Sequence, residues 1–131
     1  MTTDLSAWIG RPWRADACGP EAYDCKGLVI AVQRTLWGRE VPPLEAAALR
    51  ACRHAGWAPT DAPPQAGDVL LVRAIDGPHL GVFVHARRRL LVLHARSQWR
   101  RGVQVGSVVL HALPELLAAG YARPQVWSYI A

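Results

Sequence analysis

The sequence predicts an α+β domain in which helices pack on one side of an antiparallel β-sheet. Helical apolar spacing dominates the chain before Gly67, and short apolar runs of the strand type dominate it afterwards. The chain has 131 residues, of which 51% are hydrophobic and six are tryptophans, a composition typical of a packed core. Neither half can bury its apolar faces alone, so we expect residues 1–131 to form a single domain.

The strongest helix signal begins at Cys25 and ends at Trp37. Asp24 precedes it as a good N-cap, because its carboxylate can accept the free N–H groups of the first turn. Apolar residues recur on one face, and Gly38 follows at the position where helices commonly end on glycine. Weaker signals predict a short helix over residues 4–9, a second helix over residues 43–55 and a proline-rich loop over residues 58–67.

The second half of the chain is expected to consist of strands and one short helix. The expected strands cover residues 68–72, 80–85, 90–94, 103–110 and 125–130, and the helix covers residues 114–119. The strands over residues 80–85 and 90–94 are joined tightly across Ala86-Arg87-Arg88-Arg89. We therefore expect these two strands to form a hairpin.

Charge and cysteine usage disfavour several classes of function. The net charge is +5, and Lys26 is the only lysine among the 15 basic residues. The arginines are scattered and no nucleic-acid-binding motif accompanies them, so an anionic polymer or an acidic partner is favoured over nucleic acid. Three cysteines without a closely spaced pair disfavour a disulfide framework and a thiolate zinc site.

Targeting signals are also missing from the sequence. No apolar run approaches the roughly 20 residues that span a bilayer, so no membrane partner is expected. The first residues lack the charged region and apolar core of a secretory signal. We expect synthesis in the cytoplasm without a signal peptide.

Cys25 is a candidate nucleophile. It begins the buried stripe of the strongest helix, where unpaired N–H groups and the helix dipole stabilise an anion and lower the pKa of a thiol. Gly27, which has no side chain, allows another element to come close to the sulfur. The alternative is that Cys25 is a small buried hydrophobic residue, which is common for a free cysteine.

A nucleophilic cysteine needs an imidazole base, and the base needs a third group that holds its tautomer. His79 and His94 lie at the open ends of the two hairpin strands, and a two-residue loop places both rings on one face within contact distance. A bulge or an odd-length loop would separate them, and both would then be ordinary rim residues. Of the other histidines, His54 is explained by a helix C-terminus, His85 lies about 20 Å along the strand, and His111 has no evident partner.

The chain contains no asparagine, so a Cys-His-Asn arrangement is impossible. The residues instead suggest a Cys-His-His triad, with Cys25 as nucleophile, His79 as base and His94 orienting His79. Gln98 and Asp76 are weaker candidates for the third position.

Four motifs in order resemble the NlpC/P60 family of cysteine peptidases. They are Cys25-Lys26-Gly27-Leu28-Val29, Ala66-Gly67-Asp68-Val69-Leu70, His79-Leu80-Gly81-Val82 and Leu93-His94-Ala95. The lead-in from Trp8 to Asp24 is similar to the members carried by phage tails and gene transfer agents. The resemblance covers about residues 8–95 and implies a papain-like core, with the cysteine at a helix N-terminus packed on the sheet that bears the histidines.

The resemblance also implies cleavage of an amide in the stem peptide of bacterial peptidoglycan, typically after D-glutamate, without a metal or cofactor. By position, Cys25, His79 and His94 match the catalytic residues of the family. Asp24 matches an acidic residue that borders the substrate site, and Tyr23 a neighbouring aromatic residue. Lys26 is the third residue expected at the substrate site. There the sequence departs from the family, where serine or an aromatic residue is usual, and this affects the expected stem-peptide selectivity more than catalysis.

The resemblance further implies partners and a place of action. The expected partners are peptidoglycan and the hub or baseplate proteins of a phage-like tail, which would carry the protein to the periplasm and cell wall of a target cell. Two alternatives remain open at this point. One is a tail-hub or assembly subunit that keeps the fold without the chemistry, and the other is a different papain-like amidase or acyltransferase.

Overall fold

The computed structural model of the chain describes residues 3–42 and 55–130. In chain order its elements are α1 (Cys25–Trp37), β1 (Trp57–Thr60), β2 (Val69–Ala74), β3 (Gly77–Ala86), β4 (Arg89–Arg100), β5 (Val103–His111), α2 (Leu113–Ala118) and β6 (Ala122–Tyr129). The six strands form one antiparallel sheet in the order β1-β6-β2-β3-β4-β5.

The predicted fold class, an α+β papain-like core with several N-terminal helices on the sheet, is wrong. Within the described ranges the protein is mostly this six-stranded antiparallel sheet, accompanied by two short helices. The helix predicted over residues 4–9 is a set of turns, in which the carbonyl of Leu5 accepts hydrogen bonds from the N–H groups of both Trp8 and Ile9. A helix was also predicted over residues 43–55. All of this range except residue 55 lies outside the described residues.

The loop predicted over residues 58–67 is also partly wrong, because β1 occupies Trp57–Thr60. This strand pairs with β6 at the edge of the sheet, with Pro59 opposite Trp127. A proline is tolerated at an edge because its missing N–H can face away from the ladder. The buried Trp57 ring, packed at 5.4 Å from the Tyr129 ring, holds the strand in place.

The prediction for α1 is confirmed at both ends. Asp24 caps the helix, accepting a hydrogen bond of 2.6 Å from the N–H of Gly27. Gly38 ends it in the left-handed conformation with φ 64°, where a residue with a Cβ would be strained. The helix packs its apolar face, including Leu28 and Val32, on β3 and β4.

The predicted hairpin between β3 and β4 is confirmed, with a two-residue loop. Arg87 and Arg88 both have positive φ, 53° and 60°, which is the conformation of a type I′ turn. The register starts at Ala86 opposite Arg89 and ends at Val82 opposite Leu93. Beyond that point β3 continues to pair with β2 and β4 continues to pair with β5, so the two strands diverge. We call this opening between β3 and β4 the fork.

The sheet separates two apolar cores. The larger core lies on the α1 side and contains Val82, Val84 and Leu93. The smaller one, on the α2 side, contains Phe83, Val92 and Leu116 among others. Because side chains alternate along a strand, His79 shares the face of Phe83 and His94 shares the face of Val92. Both histidines therefore project from the α2 side of the sheet at the fork.

Candidate active site

Cys25 sits at the first turn of α1 beside the fork. The N–H of Phe83 and its carbonyl bond toward the β2 side of β3, so the N–H of Leu80 points by alternation to the opposite side, where β4 has diverged. This N–H faces the thiol of Cys25 and stabilises its ionised form. The nucleophile candidate thus lies against the residue that directly follows His79.

The loop before α1 packs closely on the helix start at Gly27. A Cβ at Gly27 would collide with the carbonyl oxygen of Ala17 and lie 2.8 Å from the Cα of Cys18. Asp24 ties the same loop down, because its second oxygen accepts a hydrogen bond of 3.0 Å from the N–H of Asp16. Both carboxylate oxygens of Asp24 are therefore occupied by backbone donors.

The three residues expected at the substrate site occupy different environments. Tyr23 is buried in the larger core, with its ring against Gly19. Asp24 is half-buried at the helix cap, and Lys26 is exposed on the first turn of α1. The positive charge of Lys26 acts on the Cys25 thiol and favours its ionised form, as does the N–H of Lys26.

His79 and His94 are hydrogen-bonded across the fork, as the sequence predicted. Nε2 of His79 lies 2.9 Å from Nδ1 of His94, and the two rings meet edge to face with centroids 5.0 Å apart. Gly81 permits this approach, since a Cβ there would lie 3.4 Å from the Cβ of His94 and 2.5 Å from a methyl carbon of Val92. With Nε2 of His79 engaged by His94, Nδ1 is the ring nitrogen left for another partner. Within the described residues no hydrogen bond joins this ring to the Cys25 thiol, and α1 packs on the opposite side of the sheet.

His111, for which the sequence analysis found no partner, continues this chain. Its Nδ1 lies 2.8 Å from Nε2 of His94, so the central ring is bonded at both nitrogens. The pairing register of β4 and β5 explains why His111 reaches His94. His94 pairs with Val109, and His111 lies two residues further along the same face, in the diagonal position that long and aromatic side chains can reach.

Tyr121 is a second residue that sequence reasoning missed. It immediately precedes β6, and its ring packs at 4.9 Å from the ring of His79 and at 6.0 Å from that of His94. Burial raises the pKa of the Tyr121 hydroxyl, and the charge of the Cys25 thiolate raises it further, while Arg96 acts in the opposite direction. No local motif announces Tyr121, because β6 joins β2 through a long-range pairing.

Burial keeps the imidazoles neutral. Removal from water lowers the pKa of His79 from 6.5 to about 4, with Asp76 opposing the shift. The same cause, together with the neighbouring His79, His111 and Arg96, lowers the pKa of His94 to about 2. At neutral pH both rings therefore have one protonated and one unprotonated nitrogen, the state in which an imidazole can act as a base.

The expectation of a lowered thiol pKa at the helix N-terminus is not met. Burial raises the pKa of the Cys25 thiol above its ordinary value of 9.0, and this outweighs the N–H groups of Leu80 and Lys26. Asp24 also raises it by like-charge repulsion, while the cation of Lys26 lowers it. At neutral pH the thiol of Cys25 and the rings of His79 and His94 are therefore all neutral, without a preformed thiolate–imidazolium pair.

A groove of about 250 Å³ opens beside the imidazole chain. It lies between the turn that joins β2 to β3 and the part of β4 beyond the fork, with Tyr121 at one end. Its walls carry Asp76 and Arg96 together with the exposed apolar side chains of Ile75 and Trp99. The groove therefore presents the cation of Arg96, the anion of Asp76 and an apolar surface close to the histidine chain.

A larger concavity of about 710 Å³ lies elsewhere, between β1, β6 and the start of α2. Its lining includes Thr60, Asp61, Leu113 and Arg123, but neither the thiol nor any imidazole. The thiol and the imidazoles line neither concavity, but Tyr121, which lines the smaller groove, contacts the rings of His79 and His94. We therefore place the candidate active site beside the smaller groove.

Within residues 3–42 and 55–130, no group of three or more His, Cys, Asp or Glu side chains is arranged so that it could bind a metal ion. The nitrogens of the three histidines point at one another in hydrogen bonds. In the same ranges, neither helix has the length and apolar character required to cross a bilayer.

The site has the composition of a thiol–imidazole centre, with a nucleophile candidate on a helix start and a base candidate oriented by a second ring. Comparison with known proteins found no matching family model and no matching curated protein.

Proposed function

We propose that this chain is a cysteine peptidase with the activity of the NlpC/P60 family, acting on an amide in the stem peptide of bacterial peptidoglycan. The observation that carries the proposal is the 2.9 Å hydrogen bond between His79 and His94 at the fork, beside the Leu80 N–H that faces the Cys25 thiol. The substrate class, with cleavage after D-glutamate, and delivery by a phage-like tail rest on the sequence motifs.

The first chemical step is attack of Cys25 on the amide carbon. Because the resting thiol is neutral, its proton passes to Nδ1 of His79 as the sulfur–carbon bond forms. The imidazolium that results is stabilised through its Nε2–H by His94. The N–H of Cys25 at the start of α1 is directed to the oxyanion that develops on the substrate.

The second step releases the products. His79 returns its proton to the nitrogen of the breaking carbon–nitrogen bond, and the amine leaves. A water molecule then attacks the thioester, passing a proton to Nδ1 of His79 and a hydroxyl group to the acyl carbon. The carbon–sulfur bond then breaks, the carboxylic acid product leaves, and His79 returns its proton to the Cys25 sulfur, which restores the neutral pair.

The groove beside the imidazole chain supplies the substrate side of this proposal. Stem peptides carry free carboxylates, and Arg96 presents an exposed guanidinium that makes no ion pair within the described parts of the chain. Guanidinium is well suited to bidentate recognition of a carboxylate. Ile75 and Trp99 provide apolar walls for the alanyl methyl groups of such a peptide.

One observation favours a second candidate, a non-catalytic tail-hub or assembly subunit. The raised pKa of Cys25 means that the thiol is not ionised at neutral pH, which is also what a structural cysteine shows. The two candidates differ in whether His79 withdraws the thiol proton during a reaction.

Digestion of purified cell wall, with mass spectrometry of the released muropeptides, tests the proposal. The wild-type protein is expected to generate new amine and carboxylate ends within stem peptides, and Cys25→Ala is expected to abolish them. Cys18→Ala is the matched control, because Cys18 is also a free cysteine but is exposed. Equal digestion by Cys25→Ala and wild type would contradict the nucleophile assignment, while new ends of another type would indicate a different amidase.

A further inference from the structure

We propose that His111 is a positioning residue that sets the tautomers of His94 and His79, and so makes His79 able to accept the thiol proton. This inference rests on the proposed roles of Cys25 and His79. It follows from the order of the hydrogen bonds, in which His94 links His79 at 2.9 Å to His111 at 2.8 Å.

When all three rings are neutral, the chain can carry its protons in only two directions. In the first, His79 donates from Nε2 to Nδ1 of His94, and His94 donates from Nε2 to Nδ1 of His111. This direction leaves Nδ1 of His79 with a free lone pair, which a base requires. In the second direction every ring carries its proton on Nδ1, and the Nδ1 of His79 is then a donor that cannot take the thiol proton.

His111 can set the direction because it is the end of the chain away from His79, the proposed base. His94 has no exposed surface, so its Nε2–H has no access to bulk water. Within residues 3–42 and 55–130, Nδ1 of His111 is the hydrogen-bond partner of Nε2 of His94. An acceptor at this position therefore holds the proton of His94 on Nε2, and the proton of His79 follows on its own Nε2.

Loss of the acceptor at position 111 would leave the buried Nε2–H of His94 without a partner, which is costly. Moving the proton to Nδ1 of His94 removes that penalty. His94 would then donate to Nε2 of His79, and the proton of His79 would have to reside on Nδ1. His79 would be bonded as before but unable to act as a base toward Cys25.

The test compares His111→Asn with His111→Leu. The Oδ1 atom of asparagine occupies nearly the position of Nδ1 in histidine and accepts a hydrogen bond, whereas leucine fills the space without an acceptor. Steady-state cleavage of a stem peptide should show a roughly 10²-fold or greater fall in kcat for His111→Leu, since acid–base transfer contributes about 10²–10⁴-fold. KM should change little, and His111→Asn should recover most of kcat.

The tautomers themselves are read from long-range proton–nitrogen spectra of protein labelled with ¹⁵N-histidine. In wild type and His111→Asn we expect unprotonated Nδ1 atoms on His79 and His94, and in His111→Leu we expect the protons on Nδ1. His85→Asn is the matched control, because His85 is exposed on β3 and lies outside the chain. Thermal unfolding of each variant establishes that it is folded.

The outcomes separate this inference from the proposed function. Unchanged tautomers and kcat in a folded His111→Leu would overturn the role of His111, as would a failure of His111→Asn to recover kcat. If wild type cleaves no stem peptide, the proposed function fails, and the spectra of His111→Leu still decide whether His111 sets the tautomers.

Discussion

At the scale of single residues, the thiol and the imidazoles show how burial competes with local electrostatics. Position at a helix N-terminus favours the thiolate of Cys25, but removal from water acts more strongly and raises its pKa. The same removal from water keeps His79 neutral. In the proposed mechanism, reactivity of Cys25 depends on the transfer of its proton to His79 during attack.

Alkylation of Cys25 by iodoacetamide should therefore rise steadily with pH to above about 9, without the plateau at low pH that a preformed ion pair would give. His79→Leu should slow the reaction at pH 7, because no base is left to take the proton. Mass spectrometry of the alkylated peptides measures the rate, and the exposed Cys18 in the same molecule is the internal reference. A rate for Cys25 that is independent of pH between 5 and 8 would show that the thiol is already ionised.

At the scale of elements, local signals defined α1 and the β3–β4 hairpin. Asp24 and Gly38 fix the two ends of α1 by capping, and the Arg87-Arg88 turn fixes the register that brings His79 to His94. These features depend on neighbours in sequence, so the sequence alone predicts them. The edge strand β1 is different, because its proline-rich sequence forms a strand only through pairing with β6.

The start of α1 depends on close contact with the loop that precedes it, which gives a prediction for Gly27→Ala. Alanine is the better helix former by about 1 kcal/mol, but its Cβ would collide with the carbonyl of Ala17, and overpacking of this kind costs about 1–3 kcal/mol. We expect net destabilisation and a shift of the loop and the Cys25 thiol. Urea unfolding measures the change, with Thr35→Ala on the exposed face of α1 as control. A Gly27→Ala protein as stable as wild type would show that the loop moves away without cost.

At the scale of the whole molecule, the site arises from contacts between distant parts of one sheet. The fork needs β3 paired with β2 and β4 paired with β5, and Tyr121 reaches His79 only because β6 lies beside β2. Sequence reasoning therefore found His79 and His94, which one hairpin relates, and missed His111 and Tyr121, which further pairings bring in. The thiol pKa was also mispredicted, since burial is a property of the assembled fold.

The buried imidazoles should make the stability of the whole molecule depend on pH in a defined direction. The pKa values of His79, about 4, and His94, about 2, lie below the 6.5 of the unfolded chain, so the unfolded state binds more protons as pH falls below 6.5. Between about pH 6.5 and pH 5, the free energy of unfolding should therefore decrease as pH falls. His79 and His94 should each contribute up to about 1.4 kcal/mol per pH unit to this decrease. Asp76 opposes the lowering of the His79 pKa, whereas His111 and Arg96 add to the lowering of the His94 pKa. Urea unfolding between pH 7 and 5 measures the slope, which should be clearly smaller in His94→Gln and unchanged in the exposed-site control His85→Gln. Equal slopes in all three proteins would mean that the histidine chain is not the source of the acid sensitivity.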